Sequence, residues 1–577
     1  MKVLLCTLNA KFIHSSLALR YLRAACDQVK DLEISLREFT INEPLSAIMA
    51  EIYRECPDVL CFSCYIWNIK QIIEICQDYK KVSPLTPVVL GGPEVSFDSA
   101  ELMDKHKFID FVICGEGELS LPELIEYISR NKPINEVRGV TYRDEGQVVK
   151  NRARPLISNL DIIPFPYGGD ICDLNNRTVY YETSRGCPFN CAYCLSSTIK
   201  GVRFFSLDRV KKDLAYLINN GVREIKFVDR TFNCHEGRAM EIMQFLADNP
   251  GETRFHFEIC AELLSKEMLD FLSSIQPEIF DFEIGIQSTY EPALKAVNRK
   301  YDWDKLEYNV TKIRSYNNIH LHLDLIAGLP WESYRQFAQS FNMVYDLQPD
   351  VLQLGFLKLL KGSDIRTMVE EHEYHYQEQP PYQILNNKYV NYREIINLTN
   401  IEELLSMYYN SERPNISLNF IINNVYEGNA FHFYEEFAAF WEGNGLFRIG
   451  HKKETLYSVL KRFIDLNYLQ HSQLVNDLIK YDFLSRHKAY ELPSGIKRYN
   501  PDNINDLIYS FLKDSSFLSR YLPDIGKQSI GSIRKRLNLE FFRYHPETHK
   551  EINKLIPILF IYDPLTNTAA KRVIIDF

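Results

Sequence analysis

Three cysteines stand at a spacing that metal chemistry uses: Cys187-Pro-Phe-Asn-Cys191-Ala-Tyr-Cys194, directly after the strand-like run Thr178-Val-Tyr-Tyr-Glu-Thr183. Three thiolates can hold a [4Fe–4S] cluster by three of its irons and leave the fourth iron open to a substrate. Zinc would need a fourth ligand to close its tetrahedron, for which Cys234 or His235 are candidates. On the cysteines alone both metals stay open. The chain has thirteen cysteines and none after Cys260, and at 577 residues it is far from a small disulfide-stapled scaffold. Reduced thiols are therefore expected.

A second set of polar residues recurs at every other position. Side chains two apart share one face of a strand. In His320-Leu-His322-Leu-Asp324 the polar groups fall on one face and the leucines on the other. Asp281-Phe-Glu283-Ile-Gly285-Ile-Gln287 repeats the pattern, as do His256 and Glu258. Two settings produce it: an interior with a polar ligand at its mouth, or the wet side of antiparallel strands. The order of the surrounding elements favours the first.

To bring these groups together, the chain must fold as repeated βα units. From about 178, strand candidates Thr178–Thr183, Glu224–Val228, Arg254–Glu258, Phe280–Ile286, His320–Ile326 and Val351–Phe356 alternate with helical patterns such as Asp208–Asn219, Leu294–Val297 and Tyr334–Asp346. Six units predict a full or partial barrel, a partial (β/α)6 barrel on this count, with its chemistry at the carboxyl-end face. Earlier, strand candidates Lys2–Leu8, Glu33–Phe39, Asp58–Cys64, Pro87–Leu90 and Ile109–Cys114 alternate with helices such as Ser16–Val29 and Asn68–Lys81. That alternation predicts an α/β domain with a doubly wound parallel sheet. Ligands of such sheets sit beyond the carboxyl ends of the strands. Those ends are Thr7–Ala10, Ser63–Trp67, Gly91-Gly92-Pro93-Glu94 and Gly115-Glu116-Gly117-Glu118. A hairpin around Asp144-Glu145-Gly146 and a proline-bearing connector from Arg154 to Gly169 separate the two domains. The expected division is 1–135, a hairpin and linker over 136–172, 173–365, and a mainly helical 366–577. In the last part Glu371-His-Glu-Tyr-His375 lacks HExxH register and reads as an exposed helix end.

Residues about 178–360 resemble a radical S-adenosylmethionine (SAM) enzyme: the cysteine motif is that superfamily's signature, with Tyr193 in the aromatic slot before the third cysteine. The stretch is similar to oxygen-independent coproporphyrinogen oxidases in Tyr181, Gln287, Arg299 within Val297-Asn-Arg-Lys300, and Asp324 within Asp-Leu-Ile-Ala-Gly-Leu-Pro. The resemblance implies a [4Fe–4S] cluster on Cys187, Cys191 and Cys194, with Tyr181, Tyr193, Glu258, Gln287, Arg299 and Asp324 contacting SAM or shaping its pocket. The family's glycine-rich stretch after the second strand is replaced by Phe227-Val-Asp229-Arg-Thr-Phe232, which makes Asp229 the candidate there. The amino-terminal domain resembles the cobalamin-binding modules that precede radical SAM domains. That implies cobalamin contacts from Asn9, Ser63, Gly91, Gly92, Pro93, Gly115, Glu116 and Gly117. Its first strand lacks the Asp-x-His-x-x-Gly motif whose histidine ligates cobalt; Asn9-Ala-Lys-Phe-Ile-His14-Ser-Ser stands there, with His14 expected at a helix start and Ser15 or Ser16 as its cap. The carboxyl-terminal region resembles an uncharacterised domain found after this pair.

The resemblance implies a cobalamin-dependent radical SAM enzyme that methylates an unactivated carbon or phosphorus centre, using a 5′-deoxyadenosyl radical and methylcobalamin. Rearrangement or cyclisation belongs to the same group. A rival is methylthiotransfer, with a second cluster on Cys6, Cys61, Cys64 and Cys114; a non-enzyme rival is a cobalamin-carrying sensor with zinc on the cysteines. A flavodoxin- or ferredoxin-type electron donor is implied; the substrate is not. A net charge of −10 argues against a nucleic-acid footprint. The absence of a signal-peptide pattern and of a long uncharged run sets the expectation of a cytoplasmic protein with no membrane partner.

Overall fold

The computed structural model describes residues 1–130, 133–168, 171, 174, 176–489, 491–523, 528–563 and 568–575, so Gly169 of the expected connector lies outside the described residues. The chain divides into two compact units: residues 1–340, 347–350 and 354–395, and residues 341–346, 351–353 and 396–577.

In the first unit, β1 (Lys2–Asn9), β2 (Glu33–Thr40), β3 (Val59–Ser63), β4 (Val88–Gly91) and β5 (Phe111–Ile113) form a parallel sheet in the order β2-β1-β3-β4-β5. Helices α1 (Leu17–Cys26), α2 (Leu45–Arg54), α3 (Ile69–Val82), α4 (Pro93–Ser96), α5 (Ser99–Lys105) and α6 (Gly117–Arg130) fall between and after the strands. The strands are apolar on both faces: Leu4, Leu8, Leu60 and Leu90 join one buried cluster, Val3, Leu5, Val59 and Val89 the other. That continuous hydrophobicity is what burial beneath helices on both sides requires. Ser16 caps α1, its hydroxyl accepting the Leu19 amide at 3.4 Å. An antiparallel hairpin, β6 (Val140–Asp144) and β7 (Gln147–Lys150), extends the sheet beyond β5. Its two-residue turn, Glu145-Gly146, has positive φ at both positions, as a tight hairpin demands.

The second sheet contains β8 (Val179–Tyr181), β11 (Glu224–Phe227), β12 (Arg254–Ile259), β13 (Phe280–Gln287), β14 (His320–Ala327) and β15 (Val351–Phe356). A separate ribbon of β9 (Ser184–Cys187) and β10 (Gly201–Phe204) intervenes after β8. The order β15-β14-β13-β12-β11-β8 leaves β8 and β15 as the two edges, and the register from β8 through β14 is parallel. Helices α7 (Leu207–Asn219), α8 (Glu236–Asp248), α9 (Lys266–Ser273), α10 (Glu291–Ala296), α11 (Trp303–Tyr316) and α12 (Tyr334–Tyr345) connect the strands. The β9–β10 ribbon was not anticipated: four-residue strands rich in Gly, Arg and Cys carry no apolar alternation.

The second unit begins with helices, including Ala430–Gly443, Lys453–Asn467 and Ser472–Arg486. It is mainly helical, as expected, and adds at its end an antiparallel sheet of Leu537–Tyr544, Glu551–Tyr562 and Ala569–Ile574 that the sequence did not suggest. The run Ile556–Tyr562 is buried throughout, so the strand lacks the alternation by which a half-exposed strand is recognised. His372 is also not on an exposed helix end: it is buried in a turn, its Nδ1 2.9 Å from the Tyr389 hydroxyl. Among the described residues, no helix is long and apolar enough to cross a membrane.

Gly92 shows how tightly the first sheet closes. At φ +108°, a Cβ there would lie 2.5 Å from the carbonyl oxygen of Cys64. Gly92→Ala should cost about 2 kcal/mol or more of stability in urea unfolding, because left-handed strain and a backbone collision coincide.

Candidate active site

The cysteine loop hangs from the β9–β10 ribbon. Gly186, at φ +100°, has no room for a Cβ because the Gly201 carbonyl oxygen occupies that position. Cys191 is buried; Cys187 and Cys194 are half-buried. The loop is anchored at both sides: the Ala192 amide donates to the Val297 carbonyl at 2.9 Å, and the Ile365 amide donates to the Ala192 carbonyl at 2.9 Å. Upstream, fully buried Asp229 accepts the Thr183 amide at 2.8 Å, the Thr183 hydroxyl at 2.7 Å and the Ser184 hydroxyl. Asp229 therefore acts on the segment that leads into the cysteines, a role different from the expected SAM contact.

Arg299 reaches this loop from beyond α10. Its Nη1 lies 3.9 Å from Cys191 Sγ, its Nη2 donates to the Gly285 carbonyl, and its Nε is buried without a partner. Among the described residues it has no carboxylate ion-pair partner. Burial works against its charge, and Tyr193 and Cys191 beside it favour the charge when ionised; the guanidinium stays protonated in any case. Burial pushes the Cys191 thiol up, and the Arg299 guanidinium pulls it back. Gln287 and Arg299 together fill the space over Gly285, where any side chain would collide with the Gln287 amide. Gln287 Oε1 is also buried without a partner.

On the neighbouring strand Asp324 stands opposite Gly285. Its carboxylate lies 3.1 Å from His322 Nε2, but neither atom has a well-formed hydrogen bond. Burial would lower His322, yet the Asp324 carboxylate outweighs it and raises the imidazole. Burial also raises Asp324 and Glu258. Between them Glu283 receives His256 Nε2 and Lys226 Nζ, each at 2.8 Å. Burial alone would raise Glu283; the His256 hydrogen bond and the Lys226 ammonium instead bring it to about 2.

The polar residues therefore line one face of β11–β14, with exposure alternating residue by residue. Tyr181 is not on that face. Its ring packs edge-on against Phe227 and its hydroxyl donates to Asp213 at 3.1 Å, so the expected SAM contact through its side chain has no support in this geometry. The next residue back, Tyr180, has the polar-face parity and bonds His14 at 2.7 Å. Sequence reasoning missed it, although alternation alone identifies it.

At the carboxyl edge of the first sheet, Asn9 is buried and donates to the His14 carbonyl at 2.9 Å; the Ser63 carbonyl accepts from Asn68 at 3.1 Å. Gly91 ends β4 and Pro93 starts α4. Gly92 is filled by Cys64, Gly117 faces Leu22, and Glu116 spends its carboxylate on Arg203, Arg185 and the Ile157 amide. These three residues have internal work that the resemblance did not suggest. Gly115 differs, since nothing lies within 4 Å of the position a Cβ would take. Glu94, passed over in the sequence, is buried and takes the Tyr382 hydroxyl and Lys361.

The alternative ligand sets are poorly placed. Cys6 and Cys64 belong to one core layer, Cys61 to the other, and burial raises all three thiols. A second cluster on Cys6, Cys61, Cys64 and Cys114 would have to bridge the two faces of the sheet. His235, offered as a zinc ligand, caps α8 by accepting the Arg238 amide at 3.3 Å. Among the described residues, no three His, Cys, Asp or Glu side chains converge on one ion-sized site, and that holds for Cys187, Cys191 and Cys194 as well.

Comparison with known proteins matches three stretches of the chain. Residues 3–125 match the B12 binding domain, 181–344 the radical SAM superfamily, and 370–560 a protein family of unknown function, DUF4080. The chain is 28% identical over 308 residues to the 2-(S-pantetheinyl)-carbapenam-3-carboxylate methyltransferase of Streptantibioticus cattleyicolor, covering 50% of this chain and 45% of that protein. It is 26% identical over 341 residues to the cobalamin-dependent radical SAM methyltransferase TokK of Streptomyces tokunonensis, covering 55% and 49%. The chain thus spans about half the length of these curated relatives. The structure of the cobalamin-dependent SAM radical enzyme OxsB with aqua-cobalamin bound shares the fold at TM-score 0.58 and 16% identity, covering 92% of this chain and 84% of that one.

A buried carboxyl supports the turn that carries Gln287. Glu332 Oε1 accepts the Ser288 and Ser340 hydroxyls, Oε2 has no partner, and burial raises the group to about 7. A carboxyl raised in the folded state stabilises the fold while protonated, and that contribution fades as pH rises through the folded value. Relative to Glu332→Gln, the wild type should lose about 2–3 kcal/mol between about pH 5 and 8. Urea unfolding of both proteins across that range checks it.

Proposed function

We propose that this chain, in which a B12-binding domain precedes a radical SAM domain, is a cobalamin-dependent radical SAM enzyme that methylates an unactivated centre. The observation that carries the reading is Arg299: a part-buried guanidinium beside Cys191, with no carboxylate ion-pair partner among the described residues, bonded to Gly285, which stands opposite Asp324, and close to the unpartnered Gln287 Oε1. Buried polar atoms without partners call for an explanation, and a zwitterion with a carboxylate, an ammonium and ribose hydroxyls supplies both acceptors and donors.

In this reading Cys187, Cys191 and Cys194 hold a [4Fe–4S] cluster by three irons. When bound, the cluster supplies the electron that cleaves SAM for hydrogen abstraction, and cobalamin carries the methyl group. Arg299 receives the SAM carboxylate, its planar fork matching the two oxygens. Gln287, Asp324 and Glu258 accept from the ammonium or the hydroxyls, while Glu283, held ionised by His256 and Lys226, fixes the floor of the polar face. Tyr193 packs beside Cys191 and Arg299, and Asp229 positions the loop through Thr183 and Ser184. Asn9, Ser63 and the open Gly115 turn form the edge that cobalamin approaches. The free thiols suit a reducing, cytoplasmic setting and a flavodoxin- or ferredoxin-type donor. We divide the chain functionally at 1–135, 136–172, 173–365 and 366–577.

Anaerobic purification with hydroxocobalamin and metal analysis test the assignment. About four irons and one cobalt per chain are expected; iron without cobalt removes the cobalamin half, and about eight irons favour methylthiotransfer. With dithionite and SAM, Cys191→Ala should form no 5′-deoxyadenosine, and retained cleavage refutes the cluster site. Arg299→Lys should keep its iron but weaken SAM binding about tenfold or more, because a lysine cannot fork to the carboxylate.

A further inference from the structure

The Gly115-Glu116-Gly117-Glu118 turn is joined to the cysteine loop by part-buried charge. Arg185 lies on β9, two residues before Cys187, and its side chain is only 11% exposed. It pairs with Glu182 at 2.8 Å, Glu116 at 3.2 Å and Glu118, and it lies 5.4 Å from the centre of the Tyr21 ring on α1. Directly across the ribbon, paired with Arg185 in register, stands Arg203. Like charges at such positions repel. Here Glu116 lies between them, taking Arg203 at 2.8 Å, while the Arg203 guanidinium also donates to the Ile157 carbonyl and Glu116 accepts the Ile157 amide at 2.7 Å. Two arginines of the cysteine ribbon are thus held by two glutamates of one turn of the first sheet.

Location separates this from an ordinary interdomain contact. β9 runs into Cys187, and the ribbon encloses the loop that bears all three cysteines, so a shift of the ribbon shifts the thiols. Glu116 follows Gly115, the turn glycine with open space above it. A buried ionic array contributes little net stability but demands one geometry, and a forked guanidinium shared among carboxylates narrows that geometry further.

We propose that Arg185 and Arg203, held by Glu116 and Glu118, are positioning residues that set the spacing between the cysteine loop and the cobalamin-facing edge. The proposal rests on the function given above for its consequence: radical formation and methyl delivery stay coupled only at that spacing.

The test uses the full chain with Glu116→Gln, Glu118→Gln and Arg185→Lys. In the chain without cofactors, limited proteolysis of the connector between 151 and 177 reports the domain contact. After reconstitution, electron paramagnetic resonance of the reduced cluster, with and without SAM, reports the loop. Each variant should be cut about tenfold faster and should show an altered SAM-induced spectral change with normal iron content. Arg185→Lys should behave like the glutamine variants, because charge without the fork does not rescue the geometry. Wild-type protection and wild-type spectra in the variants overturn the proposal. Global unfolding of the isosteric Glu118→Gln, seen by circular dichroism, also overturns it, since the ions would then hold the fold and not the spacing. If the wild type takes up no iron or cobalt, the functional reading fails while proteolysis still decides the clamp.

Discussion

The two-residue alternation of β11–β14 governs everything the candidate site does. Phe255, Phe257, Phe280, Phe282, Ile284, Leu321 and Leu323 occupy one parity and are fully or almost fully buried. Burying each such side chain is worth roughly 1.5–3 kcal/mol, against about 0–1 kcal/mol for an exposed ion pair. The aromatic and aliphatic face therefore sets the register, and the polar face follows from it. A slip of one residue would carry His256, Glu258, Glu283, His322 and Asp324 into the apolar layer. The chemistry is positioned by residues that take no part in it.

Once polar groups are committed to one face, their pairing decides which remain available. Glu283 is satisfied by His256 and Lys226 and lies outside the ligand-seeking set. Gln287, Arg299 and Asp324 each keep a buried polar atom without a well-formed hydrogen bond, and all three lie near the carboxyl ends of β13 and β14. Asp281 Oδ1 and His322 Nε2 on the same face are likewise buried without a well-formed hydrogen bond, so the unsatisfied groups are spread along the face around a satisfied Glu283.

The glycine-rich turns have a different logic from the one their composition suggests. Gly92 admits the Cys64 backbone, and Gly117 admits Leu22 of α1. Glu116 and Glu118 face the arginines of β9 and β10, while Glu94 takes Tyr382 and Lys361. The acidic residues of these turns thus look toward the second domain, and Gly115 alone retains the open approach that a bulky flat ligand requires. Buried charge at a domain boundary favours one arrangement over its neighbours more than it adds stability.

Period-two and βα patterns are local properties, and both were legible before folding: the parallel sheets, the Glu145-Gly146 hairpin and the shared face of Glu258, Gln287 and Asp324 all follow from neighbours along the chain. The cysteine spacing belongs to the same class, since three thiols on one short loop need no distant partner to be recognised. Partners brought from afar were not legible. Nothing local says that Asp229 grips Thr183, that Tyr181 turns to Asp213, that Cys6 and Cys61 lie on opposite sides of a sheet, or that Glu116 meets Arg203. The antiparallel strands near the carboxyl terminus escaped for a related reason, because burial on both faces erases the alternation that marks a strand. Those relations depend on which surfaces meet when the apolar faces are buried, and only the folded chain specifies that.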